Sequence, residues 1–247
     1  MAHLTRHELK HQDEFSLAVS RARNFLANHG RGISTGLLFG ILVVGTVTAF
    51  RYYERGQESK ANLALGQALR IFHGFVKSVD TDAHSDANTS NYPPELTFES
   101  NREKYKRALQ EFSDVFASFP KRKPGGFARV YMGLSQGQLD RHDDAVRTLE
   151  DSTRNSDPEI SALAEFSLAG EYIRVGEGKE AQKIYQGLLD SSFVGPSRSM
   201  VRLALADSYR STNPKEAREI YQELGSQFSH NPNLSMALTS LSESLPE

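Results

Sequence analysis

Four alanines recur along the chain at nearly constant spacing, Ala108, Ala145, Ala181 and Ala217, with gaps of 37, 36 and 36 residues. Four positions after each stands a bulky residue: Phe112, Leu149, Tyr185 and Tyr221. Three further on come Val115, Leu188 and Leu224, while the second copy breaks the pattern with Ser152. Prolines follow at Pro120, Pro158, Pro196 and Pro232. A small residue lets two helices approach closely, and a large one on the same face a turn later fills the space beside it. Proline cannot continue the helical hydrogen-bond ladder, so it punctuates each copy. A period of 34 to 37 residues built this way predicts stacked helix pairs. The expected fold class is all-α, a solenoid of about four helix pairs over residues 101–247.

The pattern resembles the tetratricopeptide repeat, whose helix pairs carry a small residue early in the second helix, then an aromatic, then a closing proline. Leu168, Ala169 and Tyr172 match the first-helix positions of that motif. In the preceding copy Gln136 replaces the tyrosine after Met132 and Gly133, and in the last copy Tyr209 is one residue out of register. The motif's tryptophan is absent throughout.

Upstream of the repeats lies a different physical signal. Gly32 to Phe50 is 19 residues without a formal charge, bounded by Arg31 and Arg51. As a helix it would be about 28 Å long, against a bilayer core of roughly 30 Å. Tyr52 and Tyr53 follow at the level of an interfacial aromatic belt. A single transmembrane helix is therefore expected over residues 32–53. A cleaved signal peptide fits less well, because 31 residues precede the apolar stretch. A twin-arginine export signal is excluded because Ala22 separates Arg21 from Arg23. Five basic residues precede the span (Arg6, Lys10, Arg21, Arg23 and Arg31) and three follow closely (Arg51, Arg55 and Lys60). That bias places the N-terminus in the cytoplasm and the repeats in the periplasm of a two-membrane bacterium. Gly32, Gly36 and Gly40 line one face of the span, where another helix could approach.

The remaining organisation follows from composition. Residues 1–31 form a cytoplasmic segment with an amphipathic stretch, 56–79 a connecting helix that opens the first pair, and 80–100 a polar loop containing Pro93 and Pro94. A net charge of −2 and the lack of a basic aromatic platform argue against nucleic acid. The absence of cysteine excludes disulfides, thiolate metal sites and cysteine nucleophiles.

Catalytic signals are sparse. His7, Glu8 and His11 read as H-E-x-x-H, two histidines one helical turn apart with a glutamate as base, which would make a zinc-dependent enzyme a minor alternative. The segment has no apolar flanks and no third ligand, and Arg6 and Lys10 set positive charge beside the would-be cation, so the match is read as chance. Asp140, His142, Asp143 and Asp144 cluster where a helix begins, where acids cap and offset the dipole. No cofactor and no enzymatic activity are expected. Binding is the better reading: Gln138, Arg174 and Arg210 recur 36 residues apart on the first helices, with Arg202 earlier on the last of them. Guanidinium groups arrayed in a groove could grip an acidic segment of another protein.

The N-terminal third adds a second resemblance. Phe25-Leu26-Ala27-Asn28-His29-Gly30, the glycine-interrupted span, Arg51-Tyr52-Tyr53 and an Ala/Gln-rich helix after it resemble the YfgM family. That family places one span before periplasmic tetratricopeptide repeats. The resemblance implies an ancillary subunit of the Sec translocon in the inner membrane, with translocon subunits, a periplasmic chaperone and client chains as partners. The arm before the span is longer than the family's, and the 80–100 insert is a departure from it. An adaptor for envelope or peptidoglycan assembly is the alternative.

Overall fold

In a computed structural model, the described residues are 20–21, 42–77, 96–190 and 195–246. The chain divides into two compact units, Met1–Gln57 and Glu58–Glu247. In the first, residues 20–21 and 42–57 are helical. Residues 32–41 of the expected 32–53 span, including Gly32, Gly36 and Gly40, lie outside the described residues, as do His7, Glu8 and His11. Among the described residues no helix is long and apolar enough to cross a membrane.

The second unit opens with α1, residues 58–72. The connecting helix expected to run to Val79 stops at residue 72, and Phe75–Val76 (β1) pairs in parallel with Thr97–Phe98 (β2). Gly74 explains the stop. A Cβ there would lie 2.6 Å from the Phe98 ring and 2.8 Å from the Leu96 carbonyl oxygen, so only glycine lets the two segments close on each other. The polar loop expected over 80–100 is described only from Leu96 onward, where it gives this strand and the turn into α2.

Eight helices follow: α2 (Asn101–Ser118), α3 (Lys123–Gln138), α4 (His142–Thr153), α5 (Pro158–Arg174), α6 (Gly178–Asp190), α7 (Arg198–Tyr209), α8 (Pro214–Gln227) and α9 (Pro232–Glu243). Their starts are written locally. Ser100, Asp157, Ser197, Asn213 and Asn231 each accept a backbone N–H of the first turn. Pro158, Pro214 and Pro232 occupy the first helical turn, where the missing N–H costs nothing. Pro158 and Pro232 thus open the next helix rather than merely closing the last.

The small-large ladder is the core. Ala108, Ala145, Ala181 and Ala217 are fully buried, and Phe112, Leu149, Tyr185 and Tyr221 are at most 3% exposed. Buried apolar residues gather in successive groups, each spanning three consecutive helical elements: α1–α3, α3–α5, α5–α7 and α7–α9. Each pair therefore packs only on its neighbours, as a solenoid does. Ser152 keeps its place in the second copy, 2% exposed, by donating to the Thr148 carbonyl of its own helix at 2.8 Å. Gly133 shows how close the helices come: a Cβ there would sit 2.7 Å from Leu149 Cγ. The repeat extends to the backbone, since Asp140 (φ 61°) and Gly176 (φ 86°) take left-handed conformations at equivalent turns inside their pairs.

Candidate functional site

Successive first helices end along one row of turns. Gln138 closes α3, Arg174 closes α5 and Arg210 directly follows α7; all three are exposed. Their shared helix-end position follows from their shared repeat phase. Arg202 stands apart. It is eight residues before Arg210, about 12 Å along the helix, and its guanidinium is bonded to Glu223 of α8 within the same pair. Arg174 is only partly available, because its Nη1 lies 3.6 Å from Glu171 Oε2.

Glu171 is the residue the sequence pattern did not single out. It is 3% exposed on α5, and its carboxylate accepts from His142 Nδ1 at 2.5 Å. Gly137 leaves room for it, since a Cβ on that glycine would meet Glu171 Oε2 at 2.5 Å. One buried carboxylate thus joins the end of α3, the start of α4 and the end of α5. A buried charge needs such partners, because desolvation without them costs several kcal/mol. The only sequence hint was a glutamate amid Leu168, Ala169 and Tyr172, otherwise an apolar packing run. The acids around His142 have separate roles. Asp144 accepts from Arg141 Nη2 at 2.7 Å and pairs with Arg147, and these hydrogen bonds hold its carboxyl below the usual range.

Two tyrosines of the ladder and its first helices point hydroxyls at carboxylates. Tyr172 donates to Glu150 Oε1 at 2.9 Å, and Tyr221 donates to Asp207 Oδ1 at 2.5 Å. Burial, then the bond to Glu150, pushes the Tyr172 phenol up to about 12. Burial, then Asp207, pushes Tyr185 up to about 12 as well. Among the described residues no group of three His, Asp or Glu side chains could hold a metal ion.

The family model for the tetratricopeptide repeat matches residues 200–231, which cover α7 from its third residue and all of α8. The repeat match and the helical stack together support a tetratricopeptide-repeat protein. No curated protein matches the chain. Repeats of this type commonly mediate binding to other proteins and are typically non-catalytic scaffolds.

Proposed function

We propose that the chain is a membrane-tethered scaffold whose helical repeats hold other proteins at a bacterial inner membrane, ancillary to the Sec translocon and a periplasmic chaperone. The observation that carries the scaffold reading is the in-phase stack of helix pairs, whose last pair matches the tetratricopeptide repeat. Support for the tether comes from the first unit. Leu42, Val43, Val44, Val47 and Phe50 are 42 to 65% exposed around the helix at residues 42–50. Successive residues of a helix point about 100° apart, so apolar side chains exposed at 42, 43, 44 and 47 spread over an arc of about 200°, wider than a single core-facing stripe. The hydroxyls of Thr46 and Thr48 donate to Leu42 O and Val44 O at 2.7 Å, so neither hydroxyl depends on water. The translocon role rests on the resemblance of residues 25–70 to the YfgM family.

A tether raises the local concentration of the repeats at one place on the membrane, which strengthens capture without tighter contacts. The test is chemical crosslinking in native membranes followed by purification of the full chain. Translocon and chaperone subunits among the products support the reading, and cell-wall enzymes in their place overturn the translocon assignment. The cysteine-free sequence makes topology directly readable: Ser20→Cys and Met236→Cys, both at exposed positions, should react with a membrane-impermeant maleimide from opposite sides.

A further inference from the structure

The turns inside the helix pairs enclose two adjoining depressions of about 700 and 420 Å³, which share Glu177. Their apolar surface comes from Val146, Tyr172, Ile173 and Val175. Ile173 and Val175 are 40% and 39% exposed, at the end of α5 where the chain turns toward α6. Polar lining is unequal in sign. Asp143, Glu150, Glu177, Glu180 and Asp207 face the depressions, against Arg147 and Lys179. Arg147 is already paired with Asp144, and Glu180 with Lys183. The side chains of Asp143 and Glu177 make no hydrogen bond or ion pair with any described residue. Arg174 is held by Glu171, and the charge of Arg210 bears on Tyr221, which donates to Asp207.

We infer that this trough docks a basic segment of a partner protein, in which a lysine or arginine flanks an aliphatic side chain. The aliphatic group covers Ile173 and Val175, and the flanking cations sit against Asp143 and Glu177. Charge complementarity selects this occupant over an acidic segment, the partner that Arg174 and Arg210 alone would suggest. The inference rests on the scaffold reading and gives it a partner chemistry. It also places the contact on the edge of turns rather than along the helix faces. The negative surroundings of Tyr172, from Glu150, Glu177 and Glu180, agree with that sign.

The test is fluorescence anisotropy with the full chain in a neutral detergent and a short fluorescein-labelled peptide of alternating lysine and leucine. Empty micelles and the matching glutamate–leucine peptide are the references. Asp143→Asn with Glu177→Gln removes charge without removing a side-chain hydrogen bond or ion pair, and should weaken binding by about tenfold, while loss of the two helix-start charges lowers the melting temperature by only a few degrees. Val175→Ser should weaken it severalfold, and added salt should weaken the wild type more than the double variant. Equal binding by the double variant, equal binding of the glutamate–leucine peptide, or no binding above empty micelles would overturn the trough. The parent reading fails separately: it falls if the wild-type chain crosslinks to no protein in native membranes, and it stands if the double variant crosslinks at wild-type level while the trough fails.

Discussion

Ala145→Phe puts the nesting of small against large to the sharpest test. Ala145 is fully buried, its carbonyl oxygen lies 3.5 Å from where a Cβ on Gly133 would stand, and Leu149 beside it is also fully buried. A benzyl group there has no exposed direction to turn toward. It must part α3 from α4, and overpacking of this kind costs about 3 kcal/mol, at the upper end of the usual range. The second unit spans Glu58–Glu247, which is 247 − 58 + 1 = 190 residues. At roughly 2–4 °C per kcal/mol for a unit of that size, the melting temperature should fall by roughly 6–12 °C. Circular dichroism melts of the full chain in detergent supply the readout. Ala117→Phe, on the exposed side of α2, is the matched control and should stay within about 1 °C of the parent. Leu149→Ala, which removes the large partner, should cost about 2–5 kcal/mol. An Ala145→Phe variant that melts with the parent would refute the nesting.

Other expectations follow from single contacts. His142→Ala should destabilise by about 2 kcal/mol because it strips a partner from buried Glu171, and adding Glu171→Gln should recover part of that loss in a double-mutant cycle. Ser152→Ala should be neutral or stabilising by about 0.5 kcal/mol in urea melts, since the hydroxyl bonds only its own helix. Tyr185 has a folded-state value of about 12, above its unfolded value of about 10, so its contribution is complete below pH ~10 and is lost as pH rises toward 12. Alkaline unfolding curves should therefore be shallower in Tyr185→Phe than in the wild type across that window.

The helix pairs were legible in the sequence because one steric rule repeats. Alanine followed four residues later by a large side chain marks the buried face of α2, α4, α6 and α8 alike. The end of α1 was not legible, because its signal is a close approach between Gly74 and residues far along the chain, Leu96 and Phe98. A single glycine in a helical pattern does not announce that contact. Phase alone groups Gln138, Arg174 and Arg210: Gln138 and Arg174 end α3 and α5, and Arg210 directly follows α7. The pairing of Arg202 with Glu223 across the hairpin is not legible in the repeat period. Glu171 escaped notice for a similar reason: its importance lies in burial against Gly137 and His142, which belong to other helices.

Recovery of crosslinked protein per membrane-resident chain, compared between the wild type and Ala145→Phe, ties the stack to docking most directly. If the nested repeats hold the partners, the variant should reach the membrane in normal amounts yet capture severalfold less. Undiminished capture by a chain whose helix pairs have been forced apart would contradict a docking role for the repeats.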